Sequence, residues 1–197
     1  ALDREVKEPA GRRGPHADMA TADHEDMRFV ERLDHDFEHT STCESGAFGF
    51  FPGKHKGHLQ VEDIMLIDAE ANSLDGKKPS AETELHTALY KRFPDVHAIL
   101  HPHPINATLV SRLFGDKIVL KNYKLLKALH AITTHETKIT IPIFANDQDI
   151  PRLSQVVDNY LDSVTNCYTY IIAGHGLYTW GESIPEALRH LEALDYL

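Results

Sequence analysis

From Gly57 to the C-terminus the apolar pattern switches repeatedly between a period of two and the period of a helix. That alternation constrains the fold more than any other feature. Strands that bury a face and helices that bury a stripe must share layers. Asp63–Ile67, Val96–Leu100, Lys117–Leu120, Lys138–Phe144, Tyr168–Ala173 and Leu177–Trp180 read as strands. A helix opens at Pro79-Ser80, with Ser80 as its N-cap, and runs to Arg92. Further helices are expected over Asn106–Leu113, Lys124–Ala131 and Ile150–Leu161. The last spans Ser183–Leu197, where Ile184, Leu188, Leu191, Leu194 and Leu197 share a face. The pattern predicts an α/β layered domain.

Upstream the signal is weaker. Met27, Phe29, Val30, Leu33 and Phe37 recur at helical spacing, which predicts an amphipathic helix over Asp23–Thr40. Ala47–Phe51 reads as a short strand. Residues 1–22 carry Pro9, Gly11, Gly14 and Pro15 among few apolar residues and read as a flexible tail, leaving 23–197 as one domain. The whole chain has 197 residues, enough for one compact core.

Charge narrows the function. Twenty basic and 30 acidic side chains give a net charge of −10, which argues against nucleic acid or anionic lipid as a partner. No apolar run reaches a membrane span, and no charged start followed by an apolar stretch reads as a signal peptide. Cys43 and Cys167 are too few for a disulfide framework or a cysteine zinc site, so a reducing cytoplasm is expected.

Histidine is abundant, at 14 residues, and two contexts call for chemistry. His101-Pro102-His103 follows directly on a strand. Alternate residues of an extended chain point the same way, and Pro102 and Pro104 stiffen it, so both imidazoles can reach one metal ion. Strand ends are also where α/β sheets put their ligand sites. A polar loop would look the same, so the pair alone decides little. The second context is Gly174-His175-Gly176 between two strands. Its glycines permit close backbone approach, and His175 could be a third ligand, although taken alone the segment reads better as a hairpin turn with an exposed histidine. Three histidines with an open position form the catalytic zinc pattern.

Two further segments matter. Glu82 falls in the first turn of a helix, where the dipole favours a carboxylate; beside a metal it could move protons or act as a displaceable ligand. Gly53-Lys54-His55-Lys56-Gly57 offers amides and two ammonium groups to a phosphate, with Gly53, Lys54 and Lys56 as the candidate contacts, or is simply a solvated basic turn.

The segments GKHKGHLQVEDIMLID, KKPSAETELHTALYKRFPDVHAILHPHPINATLVSRL, ITIPIFANDQDIPRL and AGHGLYTWGESIPEALRHLEALDYL, in that order, resemble the class II aldolase/adducin superfamily, and within it the bacterial dehydratases of methionine salvage. The resemblance spans Gly53–Leu197. It implies a three-layer α/β/α fold with a central, mainly antiparallel sheet. It also implies a homotetramer and one Zn2+ per subunit on His101, His103 and His175. The implied reaction is zinc-dependent loss of water from 5-methylthioribulose 1-phosphate, a small sugar phosphate, giving 2,3-diketo-5-methylthiopentyl 1-phosphate. A class II aldolase or 4-epimerase acting on another sugar phosphate, or a catalytically impaired homologue, is the alternative.

Two departures accompany the resemblance. Lys124 stands where related dehydratases carry an acid–base glutamate. Desolvation and a nearby cation would push a lysine there toward neutrality, so it becomes a candidate base. Glu82 matches the catalytic glutamate of the aldolase branch and is the remaining carboxylate candidate. The Ser-Gly-Asn phosphate loop that relatives carry before the segment aligned to Gly53 has no counterpart; Phe51-Pro52-Gly53 stands there instead.

Overall fold

The computed structural model describes residues 28–32, 48–50 and 64–197, and for the first two stretches only the backbone. Among the described residues, eight strands form one sheet: β1 (Arg28–Arg32), β2 (Phe48–Phe50), β3 (Met65–Ile67), β4 (Ala98–His101), β5 (Lys117–Lys121), β6 (Lys138–Phe144), β7 (Thr169–Ile172) and β8 (Gly176–Gly181). Their order is β3-β2-β1-β4-β8-β7-β6-β5. Every neighbouring pair is antiparallel except β6 and β7. Four helices accompany them: α1 (Thr83–Arg92), α2 (Ile105–Leu113), α3 (Ile150–Ser163) and α4 (Ile184–Tyr196).

Strand periodicity sorts the buried residues into two cores. Ile99, Phe144, Tyr170, Ile172, Tyr178 and Trp180 face α1 and α3, with Leu85, Leu89, Leu153 and Val157 on the helix side. Ala98, Leu100, Ile141, Ile143, Ile171 and Leu177 face the opposite way, toward Ala107, Ala187 and Leu191 of α2 and α4. The central strands are covered on both faces, which is why they read as near-continuous apolar runs. This is the expected α/β/α sandwich with a mainly antiparallel sheet. Among the described residues, no helix is long and apolar enough to cross a membrane.

Three local expectations are corrected. Arg28–Arg32 is not helical. It is a strand paired with β4 from Arg28↔His101 to Glu31↔Ala98, and with β2 on its other side. Long-range pairing of a short stretch containing Phe29 and Val30 outweighs a helical spacing that needs no partner; the rest of Asp23–Thr40 lies outside the described residues. Helix α1 starts at Thr83 rather than at Ser80. The Ser80 hydroxyl accepts from the Glu82 amide at 3.4 Å, and the Ser80 carbonyl accepts from the Thr83 amide, so Ser80 closes a turn that precedes the helix. Lys124–Ala131 holds only a 3₁₀ turn, Lys124–Ala128. Leu129 adopts φ −80° and ψ 149°, an extended conformation that ends helical progress.

Candidate metal centre

The site forms where the end of β4, the β7–β8 turn and the start of α1 meet. Residue parity places His101 on the same side of the sheet as Ile99, toward α1. Beyond it the chain stays extended into Pro104, which has φ −67° and ψ 140° and caps α2. The Pro102 carbonyl accepts from the Leu177 amide at 3.1 Å, which fastens this extension to β8.

The third histidine comes from a tight turn. Ile172 pairs with Gly176, leaving Ala173, Gly174 and His175 between the strands. Gly174 takes φ 67°, a conformation that favours glycine. Its amide donates to the Ser111 hydroxyl at 2.8 Å, and the His175 amide donates to the Ile172 carbonyl at 3.0 Å. Gly176 is small for a different reason. A Cβ there would stand 2.7 Å from His103 Cδ2 and 3.1 Å from His101 Cε1.

One ligand nitrogen from each of His101, His103 and His175 lies within 4.8 Å of the others. Among the described residues this is the cluster of metal-binding groups that the fold assembles. His101 is fully buried, and its Nδ1–H donates to the Leu177 carbonyl at 2.8 Å. A carbonyl only accepts, so Nε2 carries the lone pair, and that nitrogen makes no hydrogen bond. A buried, unsatisfied imidazole nitrogen is costly unless something coordinates it. Burial, partly opposed by Glu82, lowers the His101 pKa and keeps the ring neutral, the ligand form. The donor set therefore suits a divalent ion with an open position.

Glu82 faces this group from the start of α1. It is 6% exposed. Its Oε1 lies 3.1 Å from His175 Nε2, and its Oε2 lies 3.7 Å from His101 Nε2. Beside it opens a cavity of about 250 Å3, lined by Asn146, Gln148, Ile172 and His175 among others.

The fold thus brings together Glu82, His101, His103 and His175. Lys124 is exposed at the head of the 3₁₀ turn. Gly53, Lys54 and Lys56 lie outside the described residues. Sequence reasoning missed Leu177 and Tyr178, which hold His101 from its edge and its face. The signal existed: alternation along β8 sets Tyr178 on the face of Gly176, under the histidines.

Residues 52–197 match the Class II Aldolase and Adducin N-terminal domain. A methylthioribulose-1-phosphate dehydratase of Methylococcus capsulatus is 58% identical over 145 residues, 74% of this chain and 71% of that protein. A protein of the same name from Pseudomonas aeruginosa is 52% identical over 147 residues, 74% of this chain and 72% of its own. Among solved structures, YgbL of Escherichia coli aligns over 87% of this chain and 76% of its own, with TM-score 0.67 and 22% identity. L-fuculose-1-phosphate aldolase from Thermus thermophilus aligns over 86% and 78%, with TM-score 0.62 and 19% identity. These two likenesses concern the fold.

Proposed function

This chain belongs to the class II aldolase and adducin family, and we propose that it dehydrates 5-methylthioribulose 1-phosphate to 2,3-diketo-5-methylthiopentyl 1-phosphate. The observation that carries this reading is the 58% identity to a methylthioribulose-1-phosphate dehydratase. Glu82, His101, His103 and His175 all fall within the matched domain. The reaction class is a hydro-lyase of methionine salvage.

His101, His103 and His175 would hold the ion, which we take to be Zn2+. Bound there, it supplies Lewis acidity, polarising the substrate ketone and acidifying the adjacent C–H. Glu82 supplies the base. Its carboxylate removes the proton from C3, next to the ketone. The C4 hydroxyl then leaves as water with the proton that Glu82 has taken, and the resulting enol gives up its C3 hydroxyl proton and gains one at C4 as it ketonises. One C–H and one C–OH are lost and one water is formed, so the atoms balance. Because Glu82 is already buried beside two imidazoles, it exchanges protons without first being stripped of bulk water. Leu177 holds His101 in the tautomer that presents Nε2. Lys124 is the candidate for a second proton carrier, and Gly53, Lys54 and Lys56 are candidates for holding the substrate phosphate.

The reading extends to a cytoplasmic homotetramer. Ile105, Leu109 and Leu113 lie four residues apart on α2 and are 75%, 58% and 80% exposed, which supports a contact with another copy. Sedimentation velocity tests the assembly.

The decisive experiment is mass spectrometry of 5-methylthioribulose 1-phosphate incubated with zinc-loaded protein. Loss of one water at catalytic turnover is expected. Release of an aldehyde instead would move the assignment to an aldolase. Unchanged substrate with zinc bound would mean a homologue without this chemistry.

A further inference from the structure

The fold holds His101 on two sides. At its edge, Nδ1–H donates to the Leu177 carbonyl at 2.8 Å. Across its face lies the ring of Tyr178, with centroids 4.0 Å apart and planes 17° from parallel. Tyr178 stacks in turn on Tyr170, at 4.8 Å and again 17°. His101, Tyr178 and Tyr170 are each 0% exposed. His86 of α1 leans on Tyr178 from the side, with centroids 5.1 Å apart. The other two ligand rings meet His101 at steep angles, 77° for His103 and 80° for His175. Neither of them lies parallel to it.

We propose that Tyr178 is a positioning residue of the metal centre, whose ring fixes the plane of His101 and favours that imidazole in its metal-bound form. The inference rests on the reading of His101, His103 and His175 as metal ligands. Its physical basis has two parts. The hydrogen bond to Leu177 fixes where Nδ1 points but leaves the ring free to tilt about that contact. A parallel neighbour at 4.0 Å removes the tilt, and so fixes where Nε2 points. Coordination also draws electron density out of an imidazole. The electron-rich face of a phenol stabilises such a polarised ring, and more so where water is excluded.

Tyr170 provides the internal control. It is as deeply buried and belongs to the same stack, but it is one ring removed from the ligand. A column that only fills the core would respond alike to changes at either tyrosine. A positioning residue would not.

The test measures zinc affinity of the full chain by chelator competition, the visible spectrum of the cobalt(II) form, and melting of the metal-free protein. Tyr178→Phe keeps the ring and should bind zinc as the wild type does. Tyr178→Met should weaken zinc binding by about tenfold or more and shift the cobalt bands. Tyr170→Met should lower the metal-free melting temperature comparably while leaving zinc affinity near the wild-type value. Equal losses at both positions, or wild-type affinity in Tyr178→Met, would overturn the proposal. Should Tyr178→Met not fold, the near-ultraviolet difference spectrum on zinc addition decides. The wild type should show a tyrosine perturbation that Tyr178→Phe lacks; the same perturbation in both, or none in either, overturns it. Absence of zinc binding by the wild type itself would instead remove the metal-centre reading, and this inference with it.

Discussion

The Oε1 atom of Glu82 lies 3.1 Å from Nε2 of His175. A carboxylate held this close to a candidate ligand nitrogen is in place either to take a proton from a bound substrate or to step aside for it. The two roles separate in Glu82→Gln, which keeps the shape and removes the basicity. Dehydration should fall by about two to four orders of magnitude, the usual range for a lost general base. Zinc content measured by atomic emission should stay at the wild-type level. A parallel loss of zinc would make Glu82 a ligand rather than the base.

His103 is half-buried, its ring centroid 4.9 Å from that of His101 and 4.8 Å from that of His175. His103→Ala should lower bound zinc and remove the stabilisation that zinc gives the folded state. In the wild type a chelator should therefore lower the melting temperature, whereas in the variant it should change little. Retained metal in His103→Ala would take this residue out of the ligand set.

Gly176 tests the geometry rather than the chemistry. Its missing Cβ would meet rings of two ligands, at 2.7 Å for His103 and 3.1 Å for His101. It would also meet the Pro102 carbonyl, which the Leu177 amide already engages. Backbone and ligands cannot both give way without moving the site. Gly176→Ala should cost about 1–3 kcal/mol of stability, as overpacking does, and weaken zinc binding. Denaturant melts with and without zinc check both effects.

These particulars show where the sequence was legible. Lys138–Phe144 is strand at both of its predicted ends because alternation and β-branched residues agree there. The four converging groups were legible through the family resemblance rather than locally, because a polar loop, a hairpin turn and an ordinary helix start account for His101, His103, His175 and Glu82 taken one at a time. Arg28–Arg32 was not legible. Its helical spacing is real, but its partners Ala98–His101 lie some seventy positions away in sequence, and no local pattern encodes them. Lys124–Ala128 kept its helical sign but lost its length, because the extended backbone at Leu129 belongs to the route the chain takes and not to residue propensity. Tyr178 lay inside the predicted strand Leu177–Trp180; its contact with His101 emerges only when β4 and β8 pair.

pH acts on the fold through a histidine outside the site. His190 of α4 is buried; its Nδ1–H donates to the Trp180 carbonyl at 2.7 Å, and its Nε2 accepts from the His130 amide at 3.0 Å. Both nitrogens are used by the neutral ring, and burial holds the pKa below its ordinary 6.5. The unfolded chain takes up this proton at the higher pH. Stability from His190 is therefore complete above about 6.5 and drains away as pH falls from there through the folded value. Metal-free protein, measured so that ligand release does not contribute, should melt earlier at pH 5 than at pH 7.5. His190→Gln should start lower at pH 7.5 and show a shallower decline. An unchanged slope would assign the pH dependence elsewhere, with His101, shifted in the same direction, as the first alternative.

Ser111 joins α2 to the ligand turn. It is 4% exposed; its hydroxyl accepts from the Gly174 amide at 2.8 Å and donates to the Thr108 carbonyl at 2.7 Å. Gly174 precedes His175 and already holds the positive φ that shapes the turn. Ser111→Ala removes this acceptor from the part-buried Gly174 amide, which costs about 1 kcal/mol. It also frees the turn that presents His175, so the loss should reach the metal as well as the melting temperature. Chelator competition should find weaker zinc binding in Ser111→Ala than in a variant of equal instability made far from the turn, such as Leu161→Ala in the α1–α3 core. Equal affinities in the two would reduce Ser111 to a packing role and leave His175 positioned by its hairpin alone.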